Sequence, residues 1–93
     1  MALFKVFAAK DGKHAWAAKG VNPKTGREIT IKGGEPKHRG KWGTKGGKSK
    51  EQVKSYFARH AGDNKSPKNY INDKNWREGS QLGKTVNIPN NRF

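Results

Sequence analysis

Apolar and polar residues alternate along residues 3–9, "LFKVFAA", and a second short run follows at 14–19, "HAWAAK". Successive side chains of a strand point to opposite faces, which puts Phe4, Val6 and Ala8 on one side and Leu3, Lys5 and Phe7 on the other. Only the first face is cleanly apolar. Lys10-Asp11-Gly12-Lys13 joins the two runs, and its Asp-Gly pair is a strong hairpin signal. The second run has Trp16 as its one large residue, so its alanines predict close packing against small side chains. After the turn signal Asn22-Pro23-Lys24-Thr25-Gly26, "REITIK" alternates again, with Ile29 and Ile31 on one side, and predicts a third strand antiparallel to the second.

The period changes after residue 48. Ser49 with Gln52 three residues on makes a capping box, and "KEQVKSYFARHA" places Val53, Tyr56, Phe57 and Ala61 on one face. A helix over about 49–61 follows, with Gly62 as its stop. Ser66-Pro67 begins a second, weaker helical turn, N-cap then Pro at N1, from which Tyr70, Ile71 and Trp76 turn inward. In the tail, 83–93, Thr85 to Ile88 forms a short strand ended by Pro89, either a fourth strand or extended chain. The expected fold is α+β: a three- to four-stranded, largely antiparallel sheet with one amphipathic helix packed on it, in a single small basic domain spanning 1–93.

Charge changes this picture most. The chain carries 21 Lys+Arg against 7 acids, a formal net charge of +14, and such an excess favours polyanionic partners. Nucleic acid, DNA or RNA, leads; a membrane surface asks for a broader apolar helix face than this chain offers, and no run approaches transmembrane length. Residues 33–48 hold six of the twelve glycines interspersed with Lys37, Arg39, Lys41, Lys45 and Lys48. This segment reads as a flexible loop that buries nothing.

The loop's end, Gly47-Lys48-Ser49, resembles half of a phosphate-binding P-loop. The first glycine of that motif falls where Trp42 stands, and no apolar strand precedes it, so nucleotide hydrolysis is excluded. The general attraction of a glycine- and lysine-flanked helix N-terminus for phosphate remains. Lys37, Arg39, Lys41, Trp42, Lys45, Lys48, Ser49, Lys50 and Lys54 are therefore the candidate nucleic-acid contacts: cations neutralise phosphates, and the lone indole stacks on a base. This predicts a phosphate-backbone clamp of low sequence specificity, with single strands slightly preferred. Trp16 and Trp76 read as core residues; were the outer face of the hairpin a second platform, Phe7, Trp16 and Lys5 would be its aromatic and cationic elements.

Two other readings compete. His38 and His60, with Arg39 and Glu35 or Glu51, supply the groups of a small, toxin-like, metal-independent nuclease; no catalytic motif fixes their spacing, and the balance leans away from an enzyme. A structural or accessory role in a larger nucleoprotein assembly is the third. The chain has no cysteine, no metal-ligand spacing and no cofactor motif, and its N-terminus lacks the features of a signal peptide, so a cytoplasmic setting is expected.

Overall fold

The computed structural model describes residues 2–60 and 65–93. The chain runs β1 (Ala2–Ala8), β2 (Trp16–Val21), β3 (Glu28–Gly33), α1 (Lys50–Arg59), α2 (Pro67–Glu78) and β4 (Thr85–Ile88), with single 3-10 turns at Pro36–His38, Thr44–Gly46 and Asn90–Arg92. The strands form one antiparallel sheet in the order β3-β2-β1-β4. The expected α+β class holds, and the tail supplies the fourth strand.

The β1–β2 turn is locked by Asp11, whose Oδ1 accepts from the backbone N–H groups of Lys13 and His14 at 2.9 and 3.0 Å. The register this sets pairs Phe4 with Gly20, Val6 with Ala18 and Ala8 with Trp16. Phe4 and Val6 are fully buried while Leu3 and Phe7 face out, as the alternation requires. The small residues of β2 have a steric reason: a Cβ at Gly20 would meet the Phe4 ring at 2.8 Å. Trp16, Trp42, Ile71, Val86 and Ile88 complete the buried centre, and Phe93 closes one end by stacking on Phe4 at 5.6 Å.

Helix α1 is built as its sequence predicts. Ser49 Oγ accepts from Gln52 N and the Gln52 side chain accepts from Ser49 N. Tyr56 is buried, with Val53 and Phe57 packed against the core. The expected Ala61 contact and Gly62 stop lie outside the described residues. The weak helical turn expected after Ser66 is instead the longer helix α2, 12 residues. It is α2 that lies against β3 and β4, while α1 packs on α2. Its inward face escapes a hydrophobic-pattern reading because much of it is polar: Asp73 and Asn75 are buried. Hydrogen bonds serve one oxygen of each, Tyr56 Oη to Asp73 Oδ1 at 2.8 Å and Gln81 N to Asn75 Oδ1 at 2.8 Å, while Asn75 Nδ2 has no partner among the described residues. Asn72 joins them, donating to Tyr56 Oη at 3.1 Å and accepting from Trp16 Nε1 at 3.2 Å. Among the described residues no helix is long and apolar enough to cross a membrane.

Candidate functional site

The basic glycine segment is folded onto the body, and Trp42 is the reason. Its side chain is fully buried in the core, which corrects the expectation that this segment buries nothing and removes Trp42 as a base-stacking contact. Gly43 makes the seating possible: its φ is 68°, and a Cβ there would stand 2.9 Å from the Trp76 carbonyl oxygen. The free energy of removing a large indole from water outweighs the glycines' freedom, so the loop follows its tryptophan inward.

Arg39 is a second anchor. Its Nε donates to Ala15 O at 3.0 Å, and one terminal nitrogen donates to Ala9 O and His14 O, both at 2.9 Å. This guanidinium stitches the loop to the ends of β1 and β2 through Nε and one of its two terminal nitrogens. Ser49 Oγ and its backbone N–H both serve the capping box, so the lysine side chains supply the positive charge at this end of α1.

Lys37, Lys41, Lys45, Lys50 and Lys54 are all exposed, Lys37 with Glu35 at 3.2 Å in a surface pair of the kind that contributes little. Lys48 is different. Half-buried, it donates to His38 Nδ1 at 2.8 Å and lies 5.7 Å from the centre of the Trp76 ring, a cation–π contact. His38 is driven below the ordinary histidine value by its burial first, then by the positive charges of Lys48 and Lys37.

Two adjoining hollows open where the loop meets the helices. One, of about 470 Å³, is lined by His14, Gly34, Glu35, His38, Trp42, Tyr56, Arg59, His60, Lys68, Asn69, Asn72 and Trp76. The other, of about 410 Å³, is lined by Lys37, His38, Lys48, Glu51, Gln52, Ser55, Arg59 and Trp76. His38, Arg59 and Trp76 belong to both. An aromatic column runs through the wall: His60 to Tyr56 at 4.5 Å, Tyr56 stacked on Trp76 at 4.6 Å, and Trp76 edge-on to His38 at 5.4 Å.

The three histidines, scattered at 14, 38 and 60 in sequence, thus line one hollow. His38 and His60 were singled out by type alone, and Glu51 lines the adjoining hollow. His14, Arg59, Lys68 and Asn72 were missed as site residues. Each is brought in by topology: His14 by the hairpin end, Arg59 by the last turn of α1, and Lys68 and Asn72 by α2. A local signal existed only for His14, three residues after Asp11, whose Oδ2 lies 2.8 Å from His14 Nδ1. That bond, with the backbone donors, holds the Asp11 carboxyl well below the usual carboxylate range.

The outer sheet face carries Leu3, Phe7 and Val21 exposed among Lys5, Lys19 and Lys32. Trp16 is not part of it, being turned fully into the core. Among the described residues no group of three or more His, Asp or Glu side chains is placed to hold a metal ion. No protein-family model, curated protein or solved structure matches this chain.

Proposed function

We propose that the protein binds nucleic acid through its phosphate backbone, with low sequence specificity, in the paired hollows between the basic loop and the helices. The observation that carries this reading is the composition of that cleft. Lys37, Lys48, Arg59 and Lys68 line it against two acids, Glu35 and Glu51, beside the aromatic edges of Tyr56 and Trp76. Lys41, Lys45, Lys50 and Lys54, on the loop and helix α1 that contribute to its lining, are exposed as well. Cations at this density release counterions from a polyphosphate, while a hollow of some 470 Å³ suits an unpaired nucleotide better than a stacked one. The preference for single strands therefore rests on the concavity and not on Trp42.

The test is a salt titration of binding to matched single-stranded DNA, single-stranded RNA and duplex. A log–log slope of about −4 to −5 is expected, from roughly six contacted phosphates at about −0.7 each for single strands and about −0.9 each for duplex. Failure to bind DNA or RNA in dilute buffer ends this reading.

A further inference from the structure

We propose that the larger hollow cleaves RNA by internal transesterification, with His14 as the base that takes the 2′-hydroxyl proton and His38, backed by Lys48, as the acid that protonates the leaving 5′-oxygen. The inference rests on the nucleic-acid reading above and deepens it to a substrate class and a reaction.

It follows from what each imidazole is bonded to. An ionised carboxylate only accepts hydrogen bonds and an ammonium only donates them. His14 Nδ1 lies 2.8 Å from Asp11 Oδ2, so in the neutral ring Nδ1 carries the hydrogen and Nε2 presents a lone pair. His38 Nδ1 lies 2.8 Å from Lys48 Nζ, so Nδ1 is the acceptor and Nε2 carries the hydrogen. One ring is set to take a proton and the other to give one, and both line the same hollow. Each ring is oriented by a charged neighbour, as a third group orients the base in triad-type sites. Asp11 is itself held by the amides of Lys13 and His14. Burial and the flanking lysines keep His38 neutral near pH 7, consistent with the tautomer assigned.

The step balances without a co-reactant. The 2′-oxygen bonds to phosphorus as its proton passes to His14 Nε2, and the P–O5′ bond breaks. O5′ takes the proton from His38 Nε2, while Lys48 passes one to His38 Nδ1. The products are a 2′,3′-cyclic phosphate and a 5′-hydroxyl; solvent then removes the proton on His14 and supplies one to His38 Nε2 as the Nδ1 proton returns to Lys48. Arg59 and Lys68, in the same lining, offset the charge that grows on the non-bridging oxygens. The nucleophile belongs to the substrate, so RNA is cut and DNA is only bound.

The experiment incubates the full chain with an RNA oligonucleotide, its DNA counterpart and its 2′-O-methyl counterpart in excess EDTA, with mass spectrometry of the ends. RNA should be cut to cyclic-phosphate and 5′-hydroxyl ends, with the other two bound intact. His14→Ala and His38→Ala should each slow single-turnover cleavage of RNA at saturating protein by about 100-fold or more. Asp11→Asn, which touches His14 but not the substrate, should lower kcat at least tenfold (order of magnitude) with KM unchanged; a merely structural role would lower activity only with the folded fraction seen by circular dichroism. Uncut RNA alongside bound 2′-O-methyl RNA overturns catalysis and leaves the binding reading intact, whereas no binding at all overturns both. Ends bearing 5′-phosphate, or wild-type rates in His14→Ala, overturn the assigned chemistry.

Discussion

The Tyr56 hydroxyl donates to Asp73 Oδ1 at 2.8 Å across the α1–α2 interface, and both residues are buried. This contact joins the helix that frames the cleft to the helix that carries it. Tyr56→Phe keeps the ring stack on Trp76 but strips Asp73 of its donor and Asn72 Nδ2 of its acceptor. The expected loss is about 1–3 kcal/mol, the desolvation cost of groups left without a partner, read from the urea midpoint. Tyr56→Phe combined with Asp73→Asn should lose less than the sum of the two single changes, since they share one bond.

Arg39 separates two roles that its sequence context merges. As an anchor it makes three hydrogen bonds to loop and strand-end carbonyls; as a phosphate ligand it would lower the salt slope of binding when removed. Arg39→Ala should cost about 1–3 kcal/mol of stability and leave the slope unchanged, whereas Lys68→Ala should reduce the slope magnitude by about 0.7–0.9 at little cost in stability. The reverse assignment of effects would return Arg39 to the binding surface.

The sheet and helix α1 were legible because their signals are local. Asp-Gly at 11–12, alternation in 3–9 and 27–32, and the Ser49–Gln52 box each act over a few residues. Three things were not. Helix α2 hides behind inward Asn72, Asp73 and Asn75, which look like surface until Trp16, Tyr56 and Gln81 arrive from elsewhere to bond them. The loop's glycines and lysines outvote its single tryptophan in composition, though burial of that one ring decides where the loop lies. The cleft assembles His14, His38, His60 and Lys68 from four separate segments, and no spacing rule reaches across them.

Acid should weaken the fold in two stages. His38 takes its proton less readily in the folded chain than at the ordinary value of 6.5, so as pH falls below that the unfolded chain binds a proton the folded one refuses, and stability drops. Asp11 is depressed from its ordinary 3.8; the stability it contributes is complete above that value and is lost as pH falls toward its lower folded value. Both slopes have the same sign. His38→Gln should flatten the urea midpoint between about pH 7 and 5.5, and Asp11→Asn should flatten it below about pH 4. Lys48→Met removes the second cause of the His38 shift and leaves burial, so it should narrow the first stage without abolishing it.

The two fully buried tryptophans, Trp16 and Trp42, offer a controlled comparison. Trp16 Nε1 donates to Asn72 Oδ1 at 3.2 Å; Trp42 Nε1 has no partner among the described residues. Truncating either to alanine should cost about 3–5 kcal/mol through lost burial and the cavity left behind. Replacement by phenylalanine divides them. At position 16 it removes a satisfied donor and orphans Asn72; at position 42 it removes a donor whose desolvation was never repaid. Trp42→Phe should therefore be less destabilising than Trp16→Phe by about 1–3 kcal/mol in paired denaturation curves. Because Trp42 acts through the seating of the loop, its Ala variant should weaken single-strand and duplex binding alike and only as far as it unfolds the protein. A selective loss for single strands at an unchanged denaturation midpoint would instead assign the indole to the binding surface, through the hollow whose wall it helps to form.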